Sequence, residues 1–223
     1  MNVIDKIVAT VAPHQCITCS SLGSTLCPDC THSLGTPVPP RCAGCKVLGS
    51  TNKTCNTCRK WLPVQRVFVA TILDGVEERL LKAYKFDLQR QAAQPISEIM
   101  VQTISGKFDY DIVTWVPTAS FRIRERGFDH AAVIAQNCGH HMGLSAKNVL
   151  DRFGRTRQLG ATRAQRIEQM KHAFSTNAVD VAGKRILLID DVMTTGASMA
   201  SAARILKNSG AKQVDALVYA QKM

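Results

Sequence analysis

The segment Arg185–Ser198, with the sequence RILLIDDVMTTGAS, groups side chains that are suited to binding a sugar phosphate. Asp190 and Asp191 offer carboxylate oxygens that can accept the two hydroxyl protons of a ribose diol, or hold Mg²⁺ through water. A small, hydroxyl-rich turn follows, and its free backbone N–H groups, with the positive end of the next helix dipole, suit a monophosphate. A diol site beside a phosphate site indicates a ribose 5-phosphate. The turn residues are Thr194, Thr195, Gly196, Ala197 and Ser198.

These acids and this turn need a strand before them and a helix after them. The apolar run 186–189 predicts a buried parallel strand, and the pattern up to about Asn208 predicts a helix. Ligands of open α/β sheets bind outside the carboxyl ends of the strands, which is where this segment places its polar residues. A merely capped helix is the alternative, but a cap needs one Thr or Asp, not two acids and Thr-Thr-Gly-Ala-Ser. We therefore favour a ligand site.

Other apolar segments predict the remaining elements of the same domain. The chain is expected to fold as an α/β protein with a parallel sheet flanked by helices. A basic stretch at 154–168 lacks apolar periodicity at first and is expected to form a loop that leads into a short helix. The expected strands lie at 67–73, 112–117, 147–153 and 214–220, and the expected helices at 75–86, 90–103 and 129–141.

Eight of the nine cysteines form four Cys-x-x-Cys pairs. Each pair presents two sulfurs from one turn, and two pairs complete a tetrahedral Zn(Cys)₄ site, so we expect two structural zinc ions. The spacing favours pairing the first with the second and the third with the fourth, although an interleaved arrangement stays open. Disulfides are the alternative, which the lack of an export signal disfavours. The ninth cysteine, Cys138, is expected in the core. The expected ligands are Cys16, Cys19, Cys27, Cys30, Cys42, Cys45, Cys55 and Cys58.

The distribution of these features predicts two domains in the cytoplasm. Residues 1–60 are expected to form a double zinc-ribbon module, and residues 61–223 the larger α/β domain. No apolar run approaches the roughly 20 residues of a membrane span, so no span is expected. The amino terminus carries Asp5 and has too short an apolar core for a secretion signal.

The formal net charge of +11 is concentrated in one part of the sequence. Residues 122–172 hold ten basic side chains against four acidic ones, which favours a polyanionic partner, either nucleic acid or pyrophosphate. A solvated basic face is the alternative. The rings of Phe121, Phe128 and Phe153 lie in or beside this stretch, and we expect them in the core rather than stacked on bases. The candidate DNA-binding residues are Arg122, Arg124, Arg126, Arg155, Arg157, Arg163 and Arg166.

The segment 186–198 resembles the phosphoribosyl-pyrophosphate (PRPP) signature of the type I phosphoribosyltransferases. This resemblance implies that the site binds PRPP with Mg²⁺, and that Asp190 and Asp191 are the catalytic acids if the protein is an enzyme. It also implies that the small loop Thr118, Ala119 and Ser120 lets backbone N–H groups approach the pyrophosphate.

The order of the motifs resembles the ComF (also GntX) family. Four Cys-x-x-Cys pairs are followed by Lys85–Phe86, by RERGFDHA at 124–131 and by the PRPP signature. The resemblance covers nearly the whole chain and implies a zinc ribbon joined to a phosphoribosyltransferase-like domain. It also implies a role in natural competence, in which the protein handles incoming single-stranded DNA beside a helicase or recombination mediator.

Three functions remain open for the PRPP site: turnover, binding without turnover, and a site adapted to nucleic acid. The chain ends directly after the last expected strand, so a hood that selects a base must come from 61–110 or from the zinc module. We therefore favour PRPP binding combined with DNA handling. The alternative is an active phosphoribosyltransferase of nucleotide metabolism that transfers a phosphoribosyl group from PRPP.

Overall fold

The structure, a computed structural model, describes residues 15–32, 34, 38–87, 89–104, 109–153, 174–176 and 178–221. A 3-10 turn, Arg90–Ala92, precedes the fourth helix. The described helices and strands, in chain order, are α1 (Pro28–His32), α2 (Asn56–Arg59), β1 (Val67–Ile72), α3 (Gly75–Phe86), α4 (Ala93–Gln102), β2 (Ile112–Trp115), α5 (Ser120–Arg126), α6 (His130–Met142), β3 (Asp151–Arg152), β4 (Phe174–Ser175), α7 (Ala178–Val181), β5 (Arg185–Met193), α8 (Ala197–Asn208) and β6 (Gln213–Gln221).

The central sheet has four parallel strands in the order β1-β6-β5-β2. Its middle strand β5 is buried on both faces, since Ile186, Leu187, Leu188 and Ile189 are all 0% exposed. Continuous burial of this kind requires helices on both sides of a parallel sheet. The predicted α/β fold class is therefore confirmed.

The two faces of the sheet form two separate cores because successive strand residues point to opposite sides. Leu187 and Ile189 pack with α3, α4 and α6 on one face. Ile186 and Leu188 pack with α8 on the other face. Cys138 is fully buried in the first core, as its helical surroundings predicted. Among the described helices, none is long and apolar enough to cross a membrane.

The cysteine-rich segment packs against the edge of this sheet. Cys16 and Leu26 belong to the first core, whereas Ala43 belongs to the second. Main-chain hydrogen bonds also join residues 52–54 to residues 65–67, including one of 2.9 Å from Thr54 N to the Gln65 carbonyl. The segment therefore covers backbone at the open edge beside β1, where unpaired groups would otherwise be available to another chain.

Two elements differ from the sequence-based expectations. The expected strand 147–153 is reduced to the two residues of β3, which pair antiparallel with β4. On the edge of β2 that faces away from β5, the described residues form one parallel bridge, Val113 to Ala146. Conversely, the sequence pattern does not predict α5, because this helix has no buried residue and therefore no apolar periodicity.

Candidate functional site

The acid pair lies where the sheet opens. β2 is paired with β5 only as far as Ile189, whereas β6 stays paired with β5 up to Met193. The half-buried Asp190 and Asp191 therefore project beyond the end of β2, at the edge of the sheet where ligands of such folds bind. The Asp191 N–H donates a 2.9 Å hydrogen bond to Asp190 Oδ1, which fixes one carboxylate against the strand.

The turn after the acids leads into α8 and requires glycine at its centre. Gly196 has φ +75°, and a Cβ built on it would lie 2.7 Å from Met193 Cε. Thr194 and Thr195 are exposed, and Thr195 Oγ1 accepts a 3.4 Å hydrogen bond from Ala197 N–H. Ser198 is half-buried in the first turn of α8. The turn therefore presents hydroxyls and backbone N–H groups at a helix amino terminus, an arrangement that suits a phosphate.

A lysine occupies the centre of the site. Lys85, at the end of α3, places Nζ 2.7 Å from Asp191 Oδ2, and the two side chains are only 15% and 18% exposed. Burial, together with the charge of Asp191, raises the pKa of Asp190 to about 8. Lys85 is not among the predicted site residues, and its only signal in the sequence is its place in the Lys85–Phe86 motif of the family resemblance.

The small loop after β2 is held by an acid of the RERGFDHA segment. Asp129 accepts hydrogen bonds from Thr118 Oγ1 (2.7 Å) and from Thr118 N–H (3.3 Å). The same carboxylate caps α6 through the N–H groups of Ala131 and Ala132. Ala119 is buried, and Ser120 is exposed at the start of α5. The loop is therefore fixed in place rather than free.

A second cation, Arg152, approaches this loop. Its Nη1 donates a 3.1 Å hydrogen bond to the carbonyl of Pro117. Burial and the nearby Arg122 lower the pKa of Arg152, while Asp190 and Asp129 favour its charged form. Because arginine stays protonated in proteins, the guanidinium brings a positive charge to this loop. Like Lys85, Arg152 is not among the predicted site residues.

The ends of α3 and α6 are joined by a buried aromatic cluster. Tyr84 Oη donates a 2.7 Å hydrogen bond to the His130 carbonyl, and His130 Nε2 lies 3.2 Å from the Tyr84 carbonyl oxygen. The His130 ring also stacks on Phe128, with 4.2 Å between ring centroids. Because Tyr84 directly precedes Lys85, this cluster fixes the point from which Lys85 reaches Asp191.

The predicted basic residues fall into two groups. Arg122, Arg124 and Arg126 lie on α5, directly after the Thr118 loop and therefore near the site. Their helix is on the surface, and Arg122 and Arg124 are exposed. The other four predicted arginines, Arg155, Arg157, Arg163 and Arg166, lie outside the described residues, as does the expected loop 154–168.

The aromatic side chains near these arginines are not all in the core. Phe121 is 38% exposed and Phe153 is 55% exposed. The expectation that these two rings are core residues is wrong, because each follows a strand or loop end at the surface. Of the three rings, Phe128 packs against the core.

The cysteines form two clusters of four. The first contains Cys16, Cys19, Cys27 and Cys30, the second Cys42, Cys45, Cys55 and Cys58, and the sulfurs of each lie within 4.8 Å of one another. The structure thus pairs first with second and third with fourth, the arrangement that the spacing favours. Such four-sulfur groups can hold zinc.

The backbone around the clusters favours thiolates at Cys16 and Cys42, whereas the Cys27 sulfur raises the pKa of Cys30, and burial that of Cys58, to about 12. Cys27 N–H points at Cys16 Sγ (3.5 Å), and Cys55 N–H points at Cys42 Sγ (3.4 Å). Burial opposes ionisation, but these and neighbouring backbone N–H groups outweigh it and lower the pKa of Cys16 and Cys42 to about 6. Thiolates are the form that binds zinc, so the donor set fits the metal.

Comparison with known proteins agrees with this geometry. The family model described as phosphoribosyl transferase domain matches residues 132–223. With the parallel sheet and the acid pair at the end of β5, the protein has a type I phosphoribosyltransferase-like fold, preceded by two four-cysteine clusters.

The similarity that spans most of the chain is to a competence protein and to a DNA utilization protein. The chain is 24% identical over 195 residues to competence protein ComFC of Streptococcus pneumoniae, covering 86% of this chain and 85% of the relative. It is 25% identical over 199 residues to the DNA utilization protein YhgH of Salmonella typhi, covering 85% and 81%. The resemblance to the ComF family is therefore confirmed.

A solved structure is similar over a smaller part. Glutamine PRPP amidotransferase of B. subtilis, complexed with ADP and GMP, aligns with a TM-score of 0.39 and 21% identity. The alignment covers 56% of this chain and 25% of that one.

Proposed function

We propose that this protein handles incoming single-stranded DNA in the cytoplasm during natural transformation, and that its phosphoribosyltransferase-type domain binds PRPP. The PRPP-binding part of this proposal is supported by one observation: two acids, a phosphate-type turn and two cations lie at the same crevice of the sheet. The names of the two relatives, a competence protein and a DNA utilization protein, support the DNA-handling part of the proposal.

Each part of PRPP has a matching group in this crevice. Asp190 and Asp191 accept the ribose hydroxyls and hold Mg²⁺ through water. The turn at 194–198 takes the 5′-phosphate at the amino terminus of α8. The backbone at Thr118, Ala119 and Ser120, with Arg152 beside it, takes the pyrophosphate.

In the DNA role, Arg122, Arg124 and Arg126 contact the phosphates of the strand, and a helicase or recombination mediator is the protein partner.

The cysteine clusters complete this proposal as a structural module at 1–60, ahead of the larger domain at 61–223. Two zinc ions with four protein thiolates each leave no open coordination position, so they stabilise rather than catalyse. Trp61 belongs to the segment 61–110, from which a base-selecting hood could come, and it lies beside the phosphate turn, with its ring atoms 3.5–3.6 Å from a Cβ built on Gly196.

Titration calorimetry of PRPP with Mg²⁺ tests the proposal, and Asp191→Asn is the diagnostic variant. Loss of a charged acceptor should cost about 1.5–3 kcal/mol, or roughly a 10- to 150-fold weaker affinity. Asp180→Asn, which changes an exposed carboxylate on α7, is the matched control and should bind like the parent protein. Equal affinity of the Asp191 variant and the parent would place the PRPP site elsewhere.

The same preparations decide between binding and turnover. Release of pyrophosphate from bound PRPP in the presence of an acceptor base would establish the alternative, an active phosphoribosyltransferase. Stable binding without released pyrophosphate supports the role in which the ligand is sensed or retained.

A further inference from the structure

The end of α3 places two neighbouring residues in opposite environments. Lys85 turns into the site and pairs with Asp191, whereas Phe86 is 65% exposed. A large apolar ring at this exposure gains little of the free energy that full burial would provide. Its position beside the acid pair makes it a candidate for contact with a ligand.

The Phe86 ring is covered on one side by an arginine. The Arg126 guanidinium carbon lies 5.1 Å from the centroid of the Phe86 ring, within the distance for a cation–π contact. Arg126 Nε is buried and finds no hydrogen-bond acceptor among the described residues, and no described carboxylate forms an ion pair with this arginine. Among the described residues, the Phe86 ring and not an acid therefore contacts this guanidinium.

A second pair of the same kind lies on the same helix. The Arg122 guanidinium carbon is 5.7 Å from the centroid of the exposed Phe121 ring. Arg122 and Arg126 are four residues apart on α5, so they share one face of that helix. No residue of α5 is buried as a whole, although the Nε atom of Arg126 is covered, so this short helix contributes its arginines and its ring to the surface rather than to the core.

We propose that Phe86 with Arg126, and Phe121 with Arg122, are stacking platforms for bases of single-stranded DNA. Exposed aromatic rings and guanidinium planes bind bases without sequence preference, since every base has a π-face. The positive charge of α5 complements the strand's phosphates, which favours a nucleic-acid occupant over an apolar one. This inference rests on the proposed DNA-handling function. It adds that the bases of the strand contact the protein beside the acid pair.

The proposal separates base contacts from phosphate contacts, and an abasic strand tests that separation. Fluorescence anisotropy would compare a labelled oligothymidylate with an abasic oligonucleotide of equal length. Phe86→Leu should weaken binding of oligothymidylate roughly 5- to 150-fold and leave binding of the abasic strand within about twofold. Phe86→Trp should retain the affinity for oligothymidylate, because it restores an aromatic face.

Phe153→Leu is the matched control. Phe153 is 55% exposed, but no described arginine lies over its ring, so its replacement should affect neither strand. Unchanged oligothymidylate binding by the Phe86→Leu variant, or an equal weakening of binding to both strands, would contradict the proposal that bases stack on Phe86. If the unaltered protein binds neither strand at low salt yet binds PRPP, the DNA half of the proposed function fails instead. PRPP affinity of each variant reports whether it is folded.

Discussion

At the scale of single residues, the pairing of Lys85 with Asp191 adds a cation that the sequence motif does not contain. Two adjacent half-buried carboxylates repel each other, and a cation 2.7 Å from one of them relieves that repulsion. If PRPP binds at this site as proposed, Mg²⁺ or a ribose hydroxyl would have to share or replace the contact of Lys85 with Asp191.

The shifted pKa of His130 predicts that the stability of the protein depends on pH. Burial and the nearby Arg126 lower the pKa of His130 to about 4, below the value of about 6.5 in an unfolded chain. The unfolded state therefore binds the proton more readily, so this contribution to stability is complete above about pH 6.5 and falls as the pH drops towards 4. The full difference is worth at most about 3 kcal/mol.

Urea unfolding at several pH values between about 6.5 and 4.5 checks this expectation. His130→Gln lacks the titrating ring, so its free energy of unfolding should fall less steeply over that interval than that of the parent protein. Parallel pH profiles for the two proteins would rule out His130 as the source.

At the scale of elements, the cysteine segment is the part whose stability depends least on a core of its own and most on bound metal. Its sequence is short and rich in small polar residues, Gly and Pro, so burial alone provides little stability. The two clusters nevertheless repeat one geometry, with Ser20 at φ +62° and Lys46 at φ +61° after equivalent cysteines. Such repeated turns around sulfurs are typical of metal-dependent folding.

We expect two zinc ions per chain, and a variant of one ligand should bind one fewer. Cys42→Ser should lower the zinc content measured by mass spectrometry from about two to about one, and should lower the melting temperature. Cys138→Ala, which removes the buried cysteine outside the clusters, should keep both ions. Parent protein that contains no zinc, with all of its thiols free to titrate, would contradict the prediction.

The elements also show where sequence patterns succeed and where they fail. The strand that precedes the acids, the helix after them and the cysteine pairing are predictable, because each has a strong local signal of period, motif or spacing. α5 is not, since it buries nothing and its pattern is that of a loop. The predicted strand at 147–153 is too long, because Lys147 and Asn148 are exposed and the chain leaves β2 after one bridge.

The position of Lys85 illustrates a further limit. Its distance from Asp191 depends on how α3 and α6 pack through Tyr84 and His130, a contact between residues 46 positions apart. A motif defined along one segment carries no information about such a tertiary contact.

At the scale of the whole molecule, basic side chains lie at both ends of the sheet. The arginines of α5 lie beside the acid pair, at the carboxyl end of β5. Lys184 and Lys212 lie at the opposite end, next to the first residues of β5 and β6. This separation allows the proposed DNA surface to be compared with a distant surface while the change in net charge is kept equal.

Arg122→Glu with Arg124→Glu should weaken single-strand binding and reduce its salt dependence. The slope of log affinity against log salt should become shallower by about 0.7 for each phosphate that is no longer neutralised. Lys184→Glu with Lys212→Glu makes the same change in net charge at the other end and should leave the slope unchanged. Equal effects of the two double variants, measured by anisotropy at several salt concentrations, would show that net charge and not a defined surface drives binding.

Trp61 lies close both to the second cysteine cluster and to the phosphate turn. Its indole lies between Gly44, in the turn of the second cysteine cluster, and Gly196, in the phosphate turn; Cβ atoms built on these glycines would lie 3.1 Å and 3.5 Å from the ring. If zinc orders the turn at Gly44, it also positions the indole that contacts the phosphate turn at Gly196. Thermodynamic reciprocity then requires that a ligand favoured by bound zinc must in turn tighten the hold on zinc. Saturating PRPP should slow the transfer of zinc to a chromogenic chelator, and Trp61→Ala should abolish that protection, while equal transfer rates with and without PRPP would show the two sites to be energetically independent.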